Sequence, residues 1–117
     1  MKTSELTGAA LDWAVAKCEG IETKNYSGAL TIRYDGDWWQ PSTEWTQGGP
    51  IIEREKIGVW WATHYVDDDG QEYGNHWYAE TAEGLVRDGP TPLIAAMRCF
   101  VSSKLGDEVE VPDEIVS

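Results

Sequence analysis

The sequence predicts an α+β domain, in which an antiparallel sheet of about four or five strands is joined by an N-terminal and a C-terminal helix. Apolar residues recur at helical spacing near the two ends of the chain and alternate with period two in its middle, where Asp-Gly and Glu-Gly pairs mark turns. At 117 residues there is room for one core and not for two.

Ser4 to Lys17 reads as the first helix, because Leu6, Ala10, Trp13 and Lys17 form one row and Leu11, Ala14 and Cys18 a second, with Gly20 as the stop. Ile21 to Ser27 is polar and reads as irregular. Leu30 to Tyr34 alternates as a strand, Asp35-Gly36 is a two-residue hairpin signal, and Trp38-Trp39 lie on the return. Gln40 to Pro50 keeps no period and reads as a long loop, with a short helical turn opening at Pro50. Ile57 to Val66 is a strand with Val59, Trp61, Thr63 and Tyr65 on one face, and Asp67-Asp68-Asp69-Gly70 turns it back onto Gln71 to Glu80. Glu83-Gly84 is another turn, followed by a short strand at Leu85 to Arg87. In the last helix Thr91 caps, Pro92 takes the first position, Leu93, Ala96, Met97, Phe100, Val101 and Leu105 form the stripe, and Gly106 ends it. Residues 1–106 are thus expected to form the domain, and residues 107–117 an acidic C-terminal tail with a short edge strand at Val109 to Val111.

The formal charge is −12, and five of the acids lie in the last twelve residues, leaving sixteen acids against nine basic residues in the body. Such a field repels nucleic acid and anionic membrane, so neither is expected as a partner. There is no leader-like segment and no run approaching eighteen apolar residues, so the chain is expected in the cytoplasm of the cell that makes it. Cys18 and Cys99 are isolated and fall in apolar helical rows, where free cysteine acts as a small hydrophobe. No cofactor signature is present: Walker and dinucleotide motifs are missing, and G-x-S-x-G is too. His64 and His76 flank the acidic turn, but a third zinc ligand is not apparent, and Tyr65 and His76 stand where a calcium loop needs carboxylates.

Seven tryptophans and five tyrosines against one phenylalanine bias the aromatic set towards rings with a polar tip, which suit binding sites and core edges. Their densest cluster with polar groups is the loop region, where the candidate ligand-binding residues are Trp38, Trp39, Thr43, Trp45, Gln47, Gly48, Gly49, Ile51 and Arg54. Rings stack on a base or sugar, hydroxyls and amides read polar edges, and Gly48-Gly49 lets backbone approach a ligand. A helical turn opening at Pro50 would aim the N–H groups of Ile51 and Ile52 at a phosphate, with Arg54, Arg33 or Arg87 adding a bidentate contact. A weaker second anion site is Gly89-Pro90-Thr91-Pro92, where two prolines remove two donors. The competing reading of the loop is a cover that packs its tryptophans on the sheet.

Three segments resemble the bacteriophage NinX-like proteins: Lys2 to Ala16, Gln47-Gly48-Gly49-Pro50-Ile51-Ile52-Glu53, and Gly89 to Arg98. The resemblance spans the chain and implies a phage or prophage gene expressed in a bacterial host, without supplying catalytic residues. Small accessory phage proteins often counter host defence by trapping a nucleotide signal or binding a defence protein. The expectation is therefore a non-enzymatic protein that sequesters a small phosphorylated nucleotide-like ligand. The alternatives are an acidic inhibitor or nucleic-acid mimic acting on a host defence protein, and a weak nucleotide hydrolase. A homodimer or higher homo-oligomer is expected, since aromatic residues are enriched at subunit contacts.

Overall fold

In the computed structural model, which describes residues 1–26, 29–32 and 36–116, the chain is an α+β fold with a helix at each end of the domain. After a 3-10 turn at Thr3–Glu5 come α1 (Gly8–Glu19), the pair β1 (Thr23–Tyr26) and β2 (Ala29–Ile32), and α2 (Trp45–Glu55). The strands β3 (Gly58–Ala62), β4 (Tyr65–Val66), β5 (Glu72–Tyr73), β6 (His76–Glu80) and β7 (Val86–Gly89) then lead to α3 (Pro92–Leu105) and a short α4 (Asp113–Val116).

The last long helix is as its residues predict. Thr91 Oγ1 accepts the Ile94 N–H at 3.1 Å, Pro92 occupies the first turn, and Gly106 leaves the helix at positive φ. α3 is apolar on nearly every side and is accordingly the central element, packed by α1, α2, β3, β6 and β7. Leu11, Val15, Met97, Phe100 and Val101 are the fully buried heart of the core. At the other end Gly20, at φ 70°, closes α1 by donating its N–H to the carbonyls of Ala16 and Lys17, a left-handed cap that suits glycine.

The strands are all antiparallel but are divided among three sheets: β1-β2, β3-β6-β7 and β4-β5. β3 pairs Trp61 with Trp77, and β4 pairs Tyr65 with Tyr73 in the same register, so residues 58–80 form one long hairpin interrupted at Gly74 and Asn75, both at positive φ. The Asp67-Gly70 turn closes it as expected, with Asp67 Oδ1 accepting the N–H groups of Asp69 and Gln71. The hairpin makes the molecule long, 52 × 30 × 21 Å with a radius of gyration of 14.7 Å, against roughly 13 Å for a compact chain of this length.

Three expectations are corrected. Thr23–Tyr26, read as irregular, is a strand, because pairing with β2 supplies the backbone partners that its polar side chains did not advertise. The Gln40–Pro50 loop is shorter than expected: α2 begins at Trp45, so Gly48, Gly49 and Pro50 are helical. Their poor helix propensity is overridden by packing, since Gly48 is pressed against the Pro41 carbonyl and Leu93, and a Cβ there would overlap both. The segment after Gly106 does not stand apart. Thr3 donates its N–H to Asp107 O at 2.9 Å, Met1 and Val109 exchange backbone bonds, and Val109, Val111 and Ile115 pack against the core. Within it, Val109 to Val111 forms no strand; Lys2 and Glu108 make an isolated bridge. Arg33 and Asp35, and so the Asp35-Gly36 turn, lie outside the described residues.

Candidate functional site

The loop residues chosen from sequence are dispersed by the fold. Trp39 is buried and donates its indole N–H to the Asp12 carbonyl at 2.8 Å, which makes it a core residue. Gln47 is a clamp: its amide donates to Trp38 O and accepts from the Gln40 N–H, each at 2.6 Å. Ile51 belongs to the core and Gly48 to the helix contact already described. Because α2 starts at Trp45, the N–H groups of Ile51 and Ile52 lie inside a helix and offer no anion site. Arg54 sits at the far end of α2, donating to both Glu19 oxygens and to Glu55, which hold its pKa up and its charge occupied. Arg87 is likewise engaged, with Ser102 Oγ at 3.2 Å and Asp107 at 3.4 Å. Gly89 is held against Ala95 of α3, so the Gly89–Pro92 entry serves packing and capping.

What remains of the loop is Trp38, Thr43 and Trp45, all exposed, the two rings to 56% and 55%. Thr43 and its neighbour Ser42 form the wall between two adjoining cavities. One, of about 200 Å³, is lined by Gly8, Asp12, Trp39, Gln40, Ser42 and Thr43. The other, of about 220 Å³, runs from Ser42 and Thr43 to Trp45, Thr91 and Leu93. Trp45 is the first residue of α2, so the positive end of that helix dipole lies on the rim of the second cavity.

At the base of the first cavity is a group that the sequence pattern did not single out. Asp12 is a carboxylate only 5% exposed, carried on the loop-facing side of α1. Burial raises its pKa from the ordinary 3.8 to about 6, and hydrogen bonding from the Ser42 side chain and backbone pulls it partly back. One oxygen accepts the Ser42 N–H at 2.9 Å. The Ser42 hydroxyl lies close enough to favour the charged carboxylate, yet its buried oxygen completes no well-formed hydrogen bond. A carboxylate has about four acceptor positions, so the pair presents unspent hydrogen-bonding capacity to the cavity. The only sequence signal was an acid on the first helix beside an apolar row, which is equally an exposed helix position.

A larger cavity of about 470 Å³ lies elsewhere, among Glu55, Ile57, Thr81, Glu83, Leu85 and Ser102 to Lys104. Most of its polar groups are already committed. Lys104 is paired with Glu55 at 3.2 Å, Thr81 Oγ1 accepts the Leu85 N–H, and Ser102 donates to Thr3 while accepting from Arg87. The two histidines lie on the long hairpin in separate pairs, His64 with Glu72 and His76 with Asp88. Among the described residues there is no group of three His, Cys, Asp or Glu that could hold a metal. Cys99 is buried and Cys18 half-buried, and burial pushes both thiols up to about 11, away from the reactive thiolate.

Among the described residues no helix is long and apolar enough to cross a membrane. A family model described as "Bacteriophage P22, NinX" matches residues 2–104. No curated protein matches the chain.

Proposed function

The chain belongs to the bacteriophage P22 NinX family, and on that premise we propose that it is a phage accessory protein that binds a small nucleotide-like ligand without turning it over. The observation that carries this reading is the buried Asp12 carboxylate with spare acceptor capacity, beside the unpartnered Ser42 hydroxyl, at the base of a cavity. A buried charge is expensive to keep, and such a group in a cleft is a mark of a binding site. Its chemistry fits N–H or O–H donors, such as the edge of a base or a ribose diol. Above pH 6 it is an ionised acceptor and repels phosphate, so the phosphate of the ligand belongs in the adjoining cavity, near the N-terminus of α2. Trp45, exposed on that rim, provides a stacking face. Binding without turnover is part of the proposal: both histidines are paired on the hairpin, and neither lines the Asp12 cavity.

The biological reading is sequestration of a host immune signal in the bacterial cytoplasm. To test it, the protein is incubated with a panel of mono-, cyclic and dinucleotides, the free nucleotide is assayed, and the mixture is then heat-denatured and assayed again. Capture followed by recovery of intact nucleotide supports the proposal; recovery of a hydrolysed product makes the protein an enzyme. The second reading, an acidic protein that covers a basic defence protein, draws on the net charge of −12 and the exposed Asp68 and Asp69 at the hairpin tip. It predicts no nucleotide capture at all.

A further inference from the structure

The three-stranded sheet has two unlike edges. β7 carries Arg87 and Asp88 and runs directly into α3. β3, the other edge, reads Gly-Val-Trp-Trp-Ala, and from Ile57 to Val66 there is no Asp, Glu, Lys or Arg in a chain of net charge −12. Solitary edge strands are normally blunted with charge, proline or a bulge, because their free N–H and C=O groups template pairing with another strand. β3 has none of these, and among the described residues its backbone bonds only within its own hairpin.

The surface around that edge is aromatic and already ordered. Trp60 stacks on Tyr78 at 5.9 Å, Trp61 meets Trp77 edge-on at 5.5 Å, and farther along the hairpin Tyr65 stacks on Tyr73 at 5.2 Å. Trp60, Trp61, Tyr65 and Tyr73 are nevertheless between 41% and 57% exposed. Rings fixed by a cross-strand partner lose little freedom on docking. Trp60 and Trp61 are neighbours on the edge strand and stand on opposite faces of the sheet, so a strand paired with β3 is flanked by a ring on each side.

We propose that β3 is a homodimer interface, pairing antiparallel with β3 of a second copy about a two-fold axis to make one continuous six-stranded sheet. An antiparallel pair of identical strands satisfies two-fold symmetry by construction. With the axis at Trp60, Val59 of one copy stands opposite Trp61 of the other, and Trp60 meets its own counterpart. Two acidic copies repel wherever carboxylates line their contact, and β3 is an edge where they do not. The pairing is therefore tightened by added salt, which screens the repulsion between the remaining charges.

The test is sedimentation velocity on the full chain at micromolar concentration. The unaltered protein is expected to be dimeric, and Trp60→Lys, whose stem still covers Tyr78, is expected to weaken the dimer at least about tenfold while still melting cooperatively as a folded monomer. Val86→Lys, on the β7 edge, is expected to remain dimeric. A monomeric unaltered protein, a Trp60→Lys variant that stays dimeric, or dissociation by Val86→Lys overturns the proposal. Should Trp60→Lys fail to fold, Trp60→Cys decides. The two-fold axis brings the substituted positions together, so mild oxidation is expected to cross-link them while the unaltered chain stays uncross-linked. Failure to cross-link refutes the β3 register.

Discussion

Asp12→Asn separates stability from function in a way that follows directly from the site. The carboxyl titrates near 3.8 when the chain is unfolded and at about 6 when it is folded. Between those values the folded state holds more protons than the unfolded one, so stability falls as pH rises from about 4 to about 6 and is level above that. Two pKa units correspond to about 3 kcal/mol, the cost at neutral pH of keeping this charge buried. Asn keeps an acceptor for the Ser42 N–H and offers its NH₂ to the unpartnered Ser42 Oγ. The variant is therefore expected to be more stable than the natural chain above pH 7 by up to about 3 kcal/mol, or roughly 10 °C in Tm for a domain of this size. The gap should close as pH approaches 4. Thermal melts of both proteins from pH 4 to pH 8 measure it, and nucleotide capture by the same samples should be lost in the variant. A variant less stable than the natural protein at pH 8, or a gap that ignores pH, refutes the assignment of Asp12 as a costly ionised group.

Ser42→Ala removes a buried hydroxyl that makes no well-formed bond, so it should leave stability within about 1 kcal/mol of the natural chain while weakening ligand capture, as titration calorimetry beside a melt would show. Trp45→Ala, at a half-exposed position, should cost about 1–3 kcal/mol of affinity if the ring stacks on a base and little stability. Trp39→Ala should behave oppositely, losing about 3–5 kcal/mol of stability in denaturant titration, because it empties a core position and leaves the Asp12 carbonyl without its indole donor. Truncation after Gly106 removes the Asp107 and Val109 backbone partners of Thr3 and Met1 together with the packing of Ile115; it should lower the Tm measurably, and an unchanged melt would show that this segment adds nothing.

The helices at the two ends were legible because their signals are local. Thr91, Pro92 and Gly106 bracket α3 by capping chemistry alone, and Gly20 needs only its own φ to end α1. The Asp67-Gly70 turn was legible for the same reason. α2 was not, because Gly48, Gly49 and Pro50 argue against a helix at every local level, and the Pro41 and Leu93 contacts that favour it are distant in sequence. The candidate site was half legible. Thr43 and Trp45 were chosen from the sequence and the fold sets both beside a cavity, but Asp12 becomes a candidate site residue only through the fold of residues 39–42 over α1, which no spacing reveals. The burial of Trp39, whose indole is spent on the Asp12 carbonyl, was not legible, because exposed and buried indoles look alike in a sequence.

The bonds that join the two ends of the chain also set an order of events during synthesis. The Leu6 carbonyl waits for Arg98, Thr3 Oγ1 for the Gly106 carbonyl, and the N-terminus for Val109, separations of 92, 103 and 108 residues. The first helix thus emerges from the ribosome well before α3, the helix on which α1, α2 and the three-stranded sheet pack. Contacts this remote in sequence make for slow, late closure. Nascent chains stalled before α3 is complete should accordingly remain sensitive to protease throughout.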